Sequence, residues 1–272
     1  MSKKVKVIVT AGYGTNCERE TAYACQVAGA EVVDIVHLSS LIYGEVRVDD
    51  YHLLCFPGGF LDGDHLGAAQ AGAHRFRYAR VKESGERLLD QVLRLIERGG
   101  LIIGICNGFQ LLVKLGLLPG FDGNYENRLA SLTYNDSGRF EDRWVRLKIN
   151  PHSPCVFTRG LSEMYLPVRH GEGKFVVKEE GVLERLKESQ QIVCQYADPQ
   201  TGKPTMEYPY NPNGSLEAIA GICDETGRIF GLMPHPEAYN HPTNHPRWRR
   251  GEEDPLGILF FKNAISFLRE AI

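Results

Sequence analysis

The first 118 residues alternate between short apolar runs and longer segments in which apolar residues recur with helical spacing. Residues 5–10 (VKVIVT) are β-branched and lead into the glycine-rich turn AGYGTN, which predicts a strand followed by a turn. The same pattern predicts a helix over 17–30, strands over 31–38 and 51–59, a helix over 86–100 and a strand over 101–106.

The run LIIGIC at 101–106 is apolar at nearly every position. Continuous apolar strands are typical of parallel sheets covered on both faces, and strands that alternate with helices are typical of α/β folds with right-handed crossovers. The sequence therefore predicts a layered α/β fold, flavodoxin-like, with a mostly parallel sheet flanked by helices.

From about residue 125 to 235 the pattern changes to short strands separated by turns, and helical periodicity nearly vanishes. We interpret these strands as antiparallel additions to the same sheet. They are RWVRLKI (143–149), MYLPVRHG (164–171), GKFVVKE (173–179), QIVCQYA (191–197) and a hairpin within 215–233 that turns at Asp-Glu-Thr-Gly.

Two further segments complete the chain. Residues 196–215, rich in Pro, Gly, Asn and Tyr, predict a long loop. Residues 254–272 predict a closing helix. Its expected apolar stripe consists of Leu256, Leu259, Phe260, Ala264, Phe267 and Leu268. The length permits one large domain or two small ones, and we favour a single domain over 1–272.

Composition narrows the function classes. The formal net charge is −3 and Lys and Arg form no long block, which argues against nucleic-acid binding. The N-terminal apolar stretch is too short for a secretory signal, and no segment is apolar over the roughly 20 residues of a membrane span. Seven cysteines without a C-x-x-C pair argue against a disulfide framework. We expect a soluble, cytoplasmic protein.

Cys106 is the cysteine that stands within a Gly-x-Cys-x-Gly frame, Gly104 to Gly108, where a strand gives way to a helix. A helix start stabilises a thiolate, and small flanking residues permit the strained turn of a nucleophile elbow. The N–H of Asn107 would then point at a developing oxyanion, with Gly59 of FPGGF as a second donor. The motif alone also fits a buried structural cysteine.

A cysteine nucleophile requires a base and a group that orients the base. His235 is the best of nine histidines because MPHPE follows an apolar strand. Alternation along this proline-containing segment places His235 and Glu237 on one side, where the carboxylate can fix the imidazole tautomer. The chain thus offers a nucleophile, a base and an orienting carboxylate.

The segments GICNGFQLL, PGGF and MPHPE together resemble the triad-type glutamine amidotransferases. The resemblance extends over nearly the whole chain to the glutaminase subunits of phosphoribosylformylglycinamidine synthases. It is carried further by GTNCERE (14–20), FPGGFLDGDHLGAA (56–69), GRFEDRWVRLKI (138–149), HGEGKF (170–175) and the segment 211–237.

The resemblance implies a role for each matching position. Cys106 would be the nucleophile, His235 the base and Glu237 its orienting partner. Gly59 and Asn107 would donate to the oxyanion. Gln110 and Gly58 would border the glutamine pocket.

The resemblance also implies partners. Glutamine would be hydrolysed, and the ammonia would pass to a synthetase subunit that makes formylglycinamidine ribonucleotide from formylglycinamide ribonucleotide. ATP and magnesium are expected on that synthetase, with no cofactor in this chain, and a small bridging subunit is a further possible partner. The insertion 239–255 is a departure from the family pattern that could contact a partner.

Other interpretations stay open at this point. A cysteine peptidase or hydrolase could use the same elbow, and a regulatory subunit could keep the fold without activity, although the intact triad argues against it. A metal held by His235, His241 and His245 is disfavoured because proline follows each histidine. His170 and Glu172 of HGEG could lie at the site mouth or belong to a structural hairpin.

Overall fold

The computed structural model describes residues 4–271, so residues 1–3 of the N-terminal segment and residue 272 of the closing helix lie outside the described residues. Eleven strands are formed in this part of the chain: β1 Lys6–Ala11, β2 Val32–His37, β3 Leu53–Phe56, β4 Leu101–Ile105, β5 Ala130–Thr133, β6 Glu141–Ile149, β7 Glu163–His170, β8 Lys174–Val177, β9 Ile192–Ala197, β10 Ile219–Cys223 and β11 Ile229–Leu232.

The same range contains seven α-helices: α1 Glu18–Val27, α2 Leu38–Tyr43, α3 Gln70–Tyr78, α4 Leu88–Glu97, α5 Asn107–Leu115, α6 Glu180–Glu188 and α7 Leu259–Ala271. None of these helices is long and apolar enough to cross a membrane.

Nine strands form one sheet in the order β2-β1-β3-β4-β11-β10-β9-β6-β7. The pairings from β2 to β11 are parallel, and those from β11 to β7 are antiparallel. The predicted α/β fold, with a parallel sheet extended by antiparallel strands, is confirmed. The strands β3 and β4 are buried at every position, as the apolar run at 101–106 predicted.

One strand prediction was wrong in its placement. The segment GKFVVKE forms β8, but β8 pairs with β5 in a separate two-stranded sheet. Phe175 of β8 is fully buried and stacks on Phe109 of α5, with ring centroids 6.2 Å apart. The small sheet therefore covers α5 instead of extending the main sheet.

Several elements were not predicted. Helix α6 lies within the region where the sequence shows almost no helical periodicity, and it buries only Val182, Leu183 and Leu186. Helix α3 contains Gly72, where a Cβ would come within 2.8 Å of Leu61. Gly72 lowers helix propensity but permits this close packing. The local sequence therefore disfavours a helix that the tertiary contact stabilises. Helix α2 and strand β5 were missed as well.

The closing helix starts later and faces the core differently from the prediction. Helix α7 begins at Leu259, and both Leu259 and Phe267 are only half-buried. The residues that α7 buries are Phe260, Phe261, Ala264, Ile265 and Leu268. The predicted stripe therefore omitted Phe261 and Ile265, which α7 buries, and included Leu259 and Phe267, which it does not.

The topology brings the carboxyl ends of β1, β3, β4 and β11 to one edge of the sheet, because these strands are parallel. In open α/β sheets ligands bind at this edge. The glycine-rich turn after β1, the Pro-Gly-Gly turn after β3, Cys106 after β4 and the His235 segment after β11 all meet there.

His170, the last residue of β7, illustrates how burial selects a protonation state. Its Nδ1 lies 3.1 Å from Asn135 Oδ1 and its Nε2 lies 3.5 Å from Asn213 Nδ2. A neutral ring that donates from Nδ1 and accepts at Nε2 satisfies both contacts. Burial, aided by the nearby charge of His235, lowers the pKa of His170 from 6.5 to about 3.

This shift predicts acid sensitivity. Between pH 3 and 6.5 the unfolded chain takes up a proton at His170 that the folded chain does not, so the stabilisation is complete above pH 6.5 and lost as pH falls. We expect His170→Gln to flatten the decline of unfolding free energy between pH 6 and 4 by up to about 1.4 kcal/mol per pH unit. Urea titrations at several pH values measure the slope, with the exposed His152→Gln as control. An unchanged slope in His170→Gln would contradict the assignment.

Candidate active site

Cys106 occupies the turn between β4 and α5 in a conformation that few residues adopt. Its φ is 52° and its ψ is −106°. Such a conformation in a non-glycine residue costs on the order of 1–3 kcal/mol and persists only where the surroundings impose it. Here the Cys106 N–H donates to Leu232 O at 2.8 Å and its carbonyl accepts from the Gln110 N–H at 3.1 Å.

The two glycines of the frame are required by close approach of three elements. A Cβ on Gly104 would lie 2.6 Å from Gly108 O, and a Cβ on Gly108 would lie 1.9 Å from Phe56 O. Any larger residue would push α5 away from β4 and β3. The Gly-x-Cys-x-Gly spacing is therefore a packing requirement of the elbow.

His235 and Glu237 form a buried pair at the same sheet edge. His235 Nδ1 lies 2.6 Å from Glu237 Oε1, and both side chains are almost completely buried. The His235 N–H donates to Pro167 O at 2.8 Å, which fixes this segment against β7. Because Nδ1 donates to the carboxylate, Nε2 is the nitrogen that can accept a proton.

The electrostatics of His235 connect it to Cys106. Burial alone would lower the pKa of His235, but the Glu237 carboxylate and the interaction with the Cys106 thiol outweigh it, so the pKa lies well above the usual 6.5. Nε2 forms no hydrogen bond of regular geometry within residues 4–271. Nε2 therefore remains available to the thiol of Cys106.

The two expected oxyanion donors lie on segments that are held together. Residues Thr15 and Gly59 form an isolated antiparallel bridge, in which Phe60 N donates to Gly14 O at 2.7 Å. The bridge is closed by the flanking residues, so it leaves the Gly59 N–H unused. Leu61 N donates to Asn107 Oδ1 at 3.0 Å, which joins this loop to the start of α5.

Gly59 could not be replaced by another residue in this position. Its φ is 141°, and a Cβ would lie 2.6 Å from Gly14 O. Gly58 is equally confined, since a Cβ there would lie 2.8 Å from His235 Cε1. The structure thus places Gly58 against the imidazole.

Gln110 lies on the first turn of α5, next to Cys106, and is buried. Both ends of its amide are hydrogen-bonded: Nε2 donates to Glu172 O at 2.5 Å and Oε1 accepts from Asn107 Nδ2 at 2.9 Å. Arg169 O lies 3.6 Å from Cys106 Sγ. The HGEG segment and the residue before it therefore line the site, and Gln110 fixes part of its wall.

A buried group of charged side chains adjoins Gln110. Glu172 Oε2 accepts from the Ala68 N–H at 3.0 Å, and Lys114 Nζ donates to Ala68 O. Asp64 Oδ1 is buried without a hydrogen-bond partner in the described chain. Burial, with the charge of Glu172, raises the pKa of the Asp64 carboxyl, and burial lowers the pKa of Lys114.

Cys17 is a site residue that the sequence analysis did not identify. Its Sγ lies 4.0 Å from His235 Nδ1 and 3.2 Å from Asn16 Oδ1. Burial, opposed by the contact with His235, raises the pKa of the Cys17 thiol. The available signal was its position directly after the glycine-rich turn that follows β1, at the functional sheet edge.

The three histidines considered as a metal site do not converge. His245 Nε2 lies 3.0 Å from Asp254 Oδ2, and its ring packs against Trp144. His241 is exposed and contacts Thr243. The insertion 239–255 is thus anchored by a buried histidine, while residues 247–250 are exposed.

Comparison with known proteins agrees with this architecture. A model of the CobB/CobQ-like glutamine amidotransferase domain matches residues 4–268. The phosphoribosylformylglycinamidine synthase subunit PurQ of Methanococcus maripaludis strain S2 is 43% identical over 97% of this chain and 98% of its own. The PurQ subunit of Dehalococcoides mccartyi is 45% identical over 98% of this chain and 99% of its own.

Among solved structures, the PurLQS structure from Thermotoga maritima contains a chain that is 28% identical and superimposes with a TM-score of 0.70. The match covers 98% of this chain and 100% of that one. The chain therefore belongs to the CobB/CobQ-like glutamine amidotransferase family and, within it, to the PurQ subunits of phosphoribosylformylglycinamidine synthase.

Proposed function

We propose that this chain hydrolyses glutamine to glutamate and ammonia and supplies the ammonia to a synthetase subunit that makes formylglycinamidine ribonucleotide. The observation that carries the proposal is that Cys106 and the His235–Glu237 pair lie at the same buried edge of the sheet. Cys106 stands at the start of α5, and the His235–Glu237 pair, 2.6 Å apart, interacts with it.

The chemistry follows from this arrangement. The Cys106 sulfur attacks the side-chain amide carbon of glutamine, and His235 Nε2 takes the thiol proton and gives it to the departing nitrogen. Ammonia leaves and a glutamyl thioester remains. His235 then takes a proton from water, whose oxygen attacks the thioester; glutamate leaves and the proton returns to the Cys106 sulfur.

Each tetrahedral intermediate places negative charge on the former amide oxygen. Asn107 provides the first backbone N–H of α5, where the helix dipole also favours negative charge. The Gly59 N–H, unused by the bridge to Thr15, is suited to be the second donor. One such donor is worth on the order of 10²–10³ in rate.

The polar groups beside Gln110 suit the amino-acid end of the substrate. Asp64 has a buried oxygen without a partner, and Glu172 lies close enough to influence its ionisation. A carboxylate in this position would pair with the α-ammonium group of glutamine. We assign Gln110 to the pocket wall through its bonds to Asn107 and Glu172, not as a free ligand for the substrate.

A synthetase partner follows from the fate of ammonia, which is largely protonated in neutral water and then no longer nucleophilic. The relatives are named as PurQ subunits of a synthase. The name of the solved structure, PurLQS, combines the letter Q with L and S, which indicates two further components. We propose that the synthetase holds ATP and magnesium and that a small third subunit can bridge the two. We place the complex in the cytoplasm, where thiols stay reduced; all seven cysteines here are free.

Two alternatives remain distinguishable by experiment. A cysteine peptidase would cleave peptides and ignore glutamine, and a regulatory subunit would do neither. The buried His235–Glu237 pair argues against a degenerate site, because a hydrogen-bonded ionisable pair this deeply buried would be costly to keep without use.

The division of roles in the triad predicts graded losses of activity. Glu237→Gln should lower glutaminase kcat less than His235→Ala or Cys106→Ala, because the amide can still hold the ring while the other changes remove base or nucleophile. Steady-state kinetics of the three variants in the complex provide the measurement. Equal losses in all three would show that the carboxylate does more than orient His235.

Coupled synthesis tests the proposed function as a whole. In the reconstituted complex, Cys106→Ser should abolish glutamine-driven synthesis of the amidine while ammonia-driven synthesis at high ammonium concentration continues near the unmodified rate. Only the source of ammonia is lost. Both rates are measured on the same preparations, with Cys155→Ser, a buried cysteine outside the site, as matched control. Loss of both activities together would assign Cys106 a structural role instead.

A further inference from the structure

The Nδ1 side of the His235 ring is bordered by the Cys17 thiol and the Glu237 carboxylate. Cys17 Sγ lies 4.0 Å from Nδ1, and one ligand atom each from Cys17, His235 and Glu237 lie within 4.8 Å of one another. This group, here called the rear cluster, is distinct from the Cys106 side of the ring, which faces the substrate. It is the one group of three potential metal-binding side chains found within residues 4–271.

An unused polar atom belongs to the same cluster. Glu237 is completely buried, and although Oε1 accepts from His235, Oε2 has no hydrogen-bond partner in the described part of the chain. A buried carboxylate oxygen without a partner has lost its hydration without gaining a hydrogen bond in exchange. The orienting role of Glu237 needs Oε1 alone, so Oε2 is free to bind something else.

We propose that the rear cluster binds a thiophilic divalent cation of the zinc class through Cys17 Sγ, His235 Nδ1 and a carboxylate oxygen of Glu237. Sulfur, imidazole and carboxylate form a donor set that suits zinc and disfavours magnesium or calcium.

The distances fit such a site after small movements. Zinc lies about 2.3 Å from sulfur, about 2.0 Å from imidazole nitrogen and about 2.1 Å from carboxylate oxygen, which separates tetrahedral ligands by roughly 3.3–3.7 Å. Sγ and Nδ1 are 4.0 Å apart, and Nδ1 and Oε1 are 2.6 Å apart. The separation between Sγ and the carboxylate oxygen is at most 4.8 Å, so movements of about 1–1.5 Å would bring the three ligands to these separations.

Occupancy of the rear cluster would switch off the triad. Binding at Nδ1 requires the ring proton to move from Nδ1 to Nε2, and the Cys17 thiol releases its proton to solvent, so one proton is released and no oxidation state changes. With the ring proton on Nε2, that nitrogen can no longer accept the proton of Cys106. This inhibitory consequence rests on the proposed function, whereas metal binding itself does not.

Cobalt(II) titration of the purified full-length chain tests binding directly, because thiolate ligation of cobalt gives an intense charge-transfer absorption. We expect this absorption in the unmodified protein and in Cys106→Ser, and its loss in Cys17→Ser. Cys25→Ser is the matched control, since Cys25 is a buried thiol of α1, the helix that begins directly after Cys17, and its sulfur lies 3.9 Å from Cys55 Sγ.

The outcomes are separable. Absorption lost in Cys106→Ser but kept in Cys17→Ser would place the metal on the catalytic thiol and overturn the proposal. Absorption kept in both variants, or no absorption in the unmodified protein, would overturn it too. In a second measurement, zinc should inhibit glutamine hydrolysis at least about tenfold more weakly in Cys17→Ser, each protein being compared with its own metal-free rate. Cobalt binding without inhibition would leave the site standing and count against the role of His235.

Discussion

The strained turn at Cys106 is the constraint on which the rest of the site depends. A positive φ in a non-glycine residue is maintained because the first turn of α5 presses against β3 through Gly108 and against β4 through Gly104. The hydrogen bond from Cys106 N to Leu232 O ties this turn to the end of β11. That bond fixes the position of the segment that carries His235, three residues beyond Leu232.

Parallel pairing turns this local constraint into an active site. Since β1, β3, β4 and β11 run in the same direction, the turns that follow them gather at one edge. Each turn contributes one part: Cys17 follows β1, Gly59 follows β3, Cys106 follows β4 and His235 follows β11. The antiparallel strands complete the wall, because β7 contains Arg169 and ends at His170, the first residue of the HGEG segment. The fold therefore explains why residues far apart in the chain share one buried site.

Local patterns predicted the parallel strands, the elbow and the His235–Glu237 segment because each is specified by adjacent residues. The Gly-x-Cys-x-Gly spacing encodes a close approach that only glycine allows, and Pro236 fixes the path between His235 and Glu237. Contacts across long sequence separations could not be predicted in this way. Cys17 contacts a histidine 218 positions away, and its neighbouring residues show only that it follows the turn after β1, not that it lies against His235. Strand β8 likewise lies in a separate sheet, where Phe175 packs on α5. The spacing of apolar residues in the sequence does not reveal that contact. The residue roles in the triad remain predictions from motif and geometry together.

We propose that Cys106 alone among the seven cysteines is the nucleophile toward glutamine. A diazoketone analogue of glutamine, which alkylates an attacking thiolate, tests it most directly when peptide mapping by mass spectrometry follows brief exposure near neutral pH. We expect a single adduct on Cys106, slowed by excess glutamine, with the six other cysteines unmodified. Modification of Cys17 at a comparable rate, or an unmodified Cys106, would contradict it.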